Sequence, residues 1–108
     1  MMVITNLFHA LSDPVRIEIV RRLSHGDGFN LSSISNNLGL TRQGARKHLA
    51  VLEKAEIIYL YKKGRNTEIR LDTNSLTQAK EFINKLEHQW DRRLLALSEF
   101  IKNNPKSR

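Results

Sequence analysis

Residues 39–58 read "GLTRQGARKHLAVLEKAEII". Ala45, Leu49 and Leu52 recur at i, i+4 and i+7, the inner stripe of a helix over about 42–55. Thr41 stands just before it, where a side-chain oxygen can accept the free N–H groups of the first turn. The opposite face carries Arg42, Gln43, Arg46 and Lys47. Gly44 lies among them, although glycine inside a helix costs about 1 kcal/mol relative to alanine. In the first turn that cost is smaller, because the N–H groups there are not yet bonded within the helix. A missing side chain there permits either close approach of a partner to the helix N-terminus or tight packing across the Gly39 corner.

The flanking residues give this helix its setting. Asn30 can cap a short helix over about 31–38, with Leu31, Ile34 and Leu38 inward, and Gly39 and Leu40 make a tight corner. Short helix, corner and longer helix over 31–55 form a helix-turn-helix pattern, whose second helix enters the major groove of DNA. Arg46 can read guanine bidentately and Gln43 can read adenine. Arg42, Lys47 and the Thr41 hydroxyl suit phosphates. His48, beside Leu49 and Leu52, suits packing or a phosphate.

Downstream, 57–63 ("IIYLYKK") and 67–72 ("TEIRLD") are β-rich, and "GRN" between them reads as a hairpin turn. The hairpin tip is basic, with Lys62, Lys63 and Arg65 beside Asn66. Residues 42–65 hold seven basic and two acidic side chains, an excess of +5 within a total net charge of +7. A merely solvated cationic helix would interleave acids at i, i+4. Here Glu53 and Glu56 stand only at the far end.

Upstream, residues 5–11 read as a short helix carrying Leu7, Phe8 and Leu11. "SDP" then starts a new helix, capped by Ser12 or Asp13, with Pro14 in its first turn. It runs to about Leu23, with Ile17, Val20 and Leu23 on one side, and "HGDG" (25–28) ends it. A last helix, capped by Asn74 or Ser75, extends to about Lys102. Its apolar positions are Leu76, Ala79, Ile83, Leu86, Trp90, Leu94, Leu97 and Ile101, close to a heptad seam with one stutter. At ~27 residues it would be ~40 Å long, more than a small helix–hairpin core can cover. The simplest cover for the rest is the same helix of a second subunit, with a fold back onto its own core as the alternative. Trp90 falls on that seam.

Composition bounds the remaining classes. The 108 residues, 40% apolar, suit one domain, here 1–102 with a flexible tail over 103–108. The absence of cysteine excludes disulfides, iron–sulfur clusters and thiolate metal sites. "MMVITNLFHALSDP" has no basic region before an apolar run, so no secretory signal is expected. No apolar run approaches the ~20 residues of a membrane span. A cytoplasmic location and no membrane partner are the resulting expectations. No nucleophile elbow, phosphate-cradling glycine loop or HExxH occurs, so neither an enzyme nor a cofactor is expected.

"LFHALSDPVRIEIVRRL", followed by "LTRQGARKHLAVLEKAEII" and a basic hairpin, resembles the ArsR family of winged-helix transcriptional repressors, over roughly residues 7–100. The resemblance implies a mainly α fold with a β-hairpin wing: a recognition helix at 41–55, a wing at 57–72 and a dimer helix at 75–102. It implies a homodimer joined through the first and last helices, which places Leu7, Phe8, Leu11, Leu86, Trp90, Leu94, Leu97 and Ile101 at the interface. Its partner would be a double-stranded DNA operator, palindromic for a dimer, and its activity repression. Thr41, Arg42, Gln43, Gly44, Arg46, Lys47, His48, Lys62, Lys63, Arg65 and Asn66 would form the DNA surface.

Departures from the family pattern are specific. Its metal sensors carry cysteines in the helix before the recognition helix, where this chain reads "LSSISNNL". His88, Glu87 and Asp91 lack the second histidine of the family's other metal site, so no metal is expected. Many members have serine where this chain has Arg46, and glycine where it has Glu56. A metal- or ligand-gated sensor of the same fold, with an unknown effector, and a winged-helix module binding protein or RNA are the alternative readings.

Overall fold

The structure, a computed structural model, describes residues 3–103. The element order is α1 (Ile4–Ala10), α2 (Pro14–Ser24), α3 (Leu31–Ile34), α4 (Arg42–Lys54), β1 (Ile58–Lys63), β2 (Asn66–Leu71) and α5 (Thr73–Asn103). The chain divides into two compact units, residues 1–77 and 78–108.

In the first unit α4 is the hub, packed against α1, α2, α3 and β1. Its Ala45, Leu49 and Leu52 are buried, as their spacing requires. They meet a core that includes Leu7, Ile19, Ile34, Ile57 and Ile58. Full burial of such side chains is worth about 1.5–3 kcal/mol each. The buried row of α2 is Ile19 with Leu23, which the expected row shared, whereas Ile17 of that expected row is exposed. Both rows satisfy helical spacing, and only packing against α4 and β2 selects between them. Leu7, expected at a subunit interface, is wholly buried within its own chain and serves this core.

Side-chain caps start α2 to α5, whereas α1 follows Val3 with no side-chain cap. Asp13 accepts from the N–H groups of Val15 and Arg16, with Pro14 at the first helical position. Burial would raise the Asp13 carboxyl, but these two N–H groups outweigh it and hold it below the usual carboxylate value. Asn30 and Ser33 form a reciprocal capping box on α3. That helix ends at Ile34 rather than near Leu38, because Asn37 (φ 63°) and Gly39 (φ 67°) take left-handed conformations. The guanidinium of Arg22 reaches across from α2 and donates to the carbonyls of Ile34 (3.0 Å) and Asn36 (2.6 Å), which the short helix leaves open. The last helix starts at Thr73, not at 75. Its cap is Asp72, whose carboxylate accepts from Asn74 N–H at 3.0 Å.

The C-terminus of α4 closes through a Schellman arrangement. Ile57 N–H donates to Leu52 O, and Glu56 N–H to Glu53 O. Glu56 occupies the left-handed position at φ 60°, where glycine would be unstrained. The antiparallel hairpin pairs Ile58 with Leu71 and Lys63 with Asn66, which leaves a two-residue loop, Gly64–Arg65. Only Gly64 has positive φ, the pattern of a type II′ turn, and Asn66 already belongs to β2.

The second unit comprises the helix from Gln78 onward. From Lys80 to Asn103 every residue is exposed. The tail expected over 103–108 lies outside the described residues except for Asn103, which is helical. Among the described residues no helix is long and apolar enough to cross a membrane.

Candidate nucleic-acid interface

The start of α4 is held by Thr41, whose hydroxyl oxygen accepts Gly44 N–H at 3.0 Å. A Cβ on residue 44 would lie 3.2 Å from that oxygen and 4.0 Å from Leu40 Cδ2. That Cβ would crowd the cap by a few tenths of an ångström, while Leu40 of the corner stands at ordinary contact distance.

Beyond the cap, the exposed face of α4 carries Arg42, Gln43, Arg46 and Lys47. At 100° per residue, Gln43 and Lys47 point about 150–170° from the mean direction of the buried Ala45, Leu49 and Leu52. Arg42 and Arg46 lie nearer, about 55° and 95° from it. They line one wall of a groove of about 500 Å³, whose other wall includes Arg65, Asn66 and Thr67 of the hairpin. Its apolar floor includes Leu31, Leu49, Leu60 and Ile69, and Glu53 stands at the far end of the α4 row.

The pleat separates two lysines that adjoin in sequence. Lys62 shares a strand face with Leu60 on the groove side, whereas Lys63 shares the opposite face with Tyr61. The base of the hairpin is braced. Glu68 accepts from Gly28 N–H (2.9 Å) and from Arg70 (3.2 Å), and Arg70 lies 3.9 Å above the Tyr61 ring. The Arg70 contact, helped by the Gly28 N–H, holds the Glu68 carboxyl below its ordinary value. Ile69 N–H donates to Phe29 O at 2.8 Å and ties β2 to the segment before α3.

Among the described residues, two sets of cations stand apart on α2, α4 and the hairpin. Arg16, Arg21, Arg22 and Arg70 are engaged by protein carbonyls, carboxylates or rings. The side chains of Arg42, Arg46, Lys47, Lys62, Lys63 and Arg65 make no hydrogen bond or ion pair there. Each is exposed and available to an external anion. His48 departs from this group. It is half-buried, and its Nδ1 lies 3.2 Å from Arg16 Nη1. Arg16 also donates to Ala10 O at 2.6 Å, so the pair ties α1, α2 and α4 together on the side away from the groove. Of the two roles that its position allowed, packing or a phosphate, this contact fits packing. No group of three or more His, Asp or Glu side chains converges among the described residues.

Comparison with known proteins agrees with this geometry. A helix-turn-helix domain family matches residues 11–59. The chain is 32% identical over 84 residues to the transcriptional repressor SdpR of Bacillus subtilis (strain 168), covering 74% of this chain and 92% of that protein. An ArsR-like transcriptional regulator from Rhodococcus sp. RHA1 superposes with a TM-score of 0.78 at 31% identity, over 89% of this chain and 90% of that one. A homodimeric winged helix-turn-helix DNA-binding domain from Mycobacterium bovis shares the fold, with a TM-score of 0.60 at 16% identity over 84% of this chain and 81% of that one. The first two relatives are a transcriptional repressor and a transcriptional regulator. Helix-turn-helix, basic hairpin and these likenesses together identify the chain as a member of the ArsR family of winged helix-turn-helix transcriptional regulators, and so as a DNA-binding protein.

Proposed function

We propose that two copies of this chain form a homodimeric repressor that binds a palindromic operator. The observation that carries the DNA reading is the set of six exposed, unengaged cations on the N-terminal half of α4 and the hairpin, beside Gln43. Helix α4 enters the major groove and the hairpin reaches the adjacent minor groove or its phosphates. Dimerisation rests on α5, where Leu86, Trp90, Leu94, Leu97 and Ile101 recur at helical spacing and are each 46–59% exposed. A continuous apolar stripe of this kind calls for a partner surface. The homodimeric Mycobacterium bovis domain of the same fold supports that choice. On a dimer the two α4 helices would lie about one turn of DNA, ~34 Å, apart. Repression follows the activity of the Bacillus subtilis relative.

Gel-shift titration against the DNA upstream of the chain's own gene, beside a random duplex of equal length, tests the reading. A complex that prefers the upstream duplex and weakens steeply with salt is expected. If no sequence-preferring complex forms at low salt, the operator reading fails. Sedimentation of the free protein tests the dimer independently, and Trp90→Asp should shift it to monomer.

A further inference from the structure

A helix in the major groove and a hairpin in the neighbouring minor groove straddle one strand of the duplex, because a sugar–phosphate backbone is what separates the two grooves. The space between α4 and the hairpin must then hold that strand. In this chain the space is the groove of about 500 Å³, and three guanidinium groups line it: Arg42, Arg46 and Arg65. None of the three is neutralised among the described residues. Guanidinium groups suit phosphate through paired N–H donors. The acid in the same lining, Glu53, stands seven residues beyond Arg46, about 10 Å along the helix axis. It repels a phosphate there and restricts the seat to the N-terminal half of α4.

We propose that this groove seats a stretch of DNA backbone, with Arg42, Arg46 and Arg65 as phosphate ligands, and that Gln43 and Lys47 read the bases. Gln43 and Lys47 point furthest from the core and so reach deepest when the helix enters the groove. Glutamine matches adenine N6 and N7, and lysine matches guanine O6 and N7. Arg46, which by residue type alone suits guanine, is turned towards the hairpin and takes a positioning role. This inference rests on the DNA reading above but apportions its residues.

Two readouts on full-length protein decide it: base preference from selection of bound fragments out of random duplexes, and the slope of log K against log salt. Each phosphate contact contributes about 0.9 to that slope. On a dimer each substitution removes two contacts, so Arg42→Ala, Arg46→Ala and Arg65→Ala should each flatten it by about 1.8 and leave the selected sequence unchanged. Gln43→Ala should relax preference at one base position with the slope unchanged. The proposal is overturned if Arg46→Ala relaxes one base position and leaves the slope intact. If wild-type protein binds duplexes without preference, the operator reading fails, yet the three slopes still decide the phosphate seat. If it binds no duplex at low salt, both fall.

Discussion

Glu56 holds a conformation that suits another residue. Its φ of 60° places a Cβ-bearing residue in the left-handed region, which costs an L-residue roughly 1–2 kcal/mol. Glycine would remove that cost but lose about 0.5–1 kcal/mol more backbone entropy on folding. Its carboxylate also lies just past the C-terminus of α4, the wrong end of the helix dipole for a negative charge, at about 0.3–1 kcal/mol. Glu56→Gly should therefore stabilise the protein by about 1 kcal/mol. Glu56→Ala removes the charge but keeps the Cβ, so it should recover only the dipole part. For a domain of this size, 1 kcal/mol corresponds to roughly 4–8 °C in Tm. Thermal and urea unfolding at one fixed protein concentration measures both variants, which removes the effect of association on apparent stability. Equal stability of the glycine and alanine variants would refute the conformational account. The Schellman bonds from Glu56 and Ile57 should persist in both variants, so DNA affinity should not change.

Thr41→Ala should cost about 1 kcal/mol through the lost cap. In that background Gly44→Ala should gain less than the ~1 kcal/mol of a mid-helix site, because residue 44 lies in the first turn, and less again when the Thr41 hydroxyl is present. Urea unfolding of the double-mutant cycle reads this coupling, and simple additivity would exclude crowding of the cap by a Cβ. Arg16→Met should destabilise by about 1.5–3 kcal/mol, because it removes charged hydrogen bonds that join three helices. The same measurement should find Arg21→Met nearly neutral, since Arg21 pairs only with Glu18 on an exposed surface. The carboxyls of Asp13 and Glu68 titrate lower in the folded protein than in the unfolded chain. Their stabilisation is present above the ordinary carboxylate range and is lost as pH falls through it, below about pH 4. Asp13→Asn keeps a capping oxygen but cannot titrate, so it should flatten the acid limb of a stability–pH curve.

Much of this was legible in the chain because it depends on neighbours three or four residues apart. Asn30 and Thr41 cap the helices that their positions indicate, and Ala45, Leu49 and Leu52 face inward at the spacing that their sequence shows. The two β-rich runs pair as a hairpin across Gly64. Two misreadings share one cause. Ile17 and Ile19 both suit a helical stripe, and the choice of Ile19 comes from α4 and β2 on the other side of α2. Lys62 and Lys63 read as one basic tip until the pleat sends them to opposite faces.

The sequence by itself determined the order of the elements, the caps of α2, α3 and α4, and the concentration of positive charge between residues 42 and 65. Those follow from local hydrogen bonding and apolar periodicity, which short stretches carry within themselves. Only the tertiary structure decided which charges remain available. Arg22 is taken by carbonyls 12 and 14 residues away, and Arg16 meets His48 from 32 residues away. Arg42, Arg46 and Arg65 meet no acceptor among the described residues and instead line one groove. A guanidinium is the same group wherever it occurs in a sequence. What folding brings within 3 Å of it decides whether it braces the protein or binds DNA.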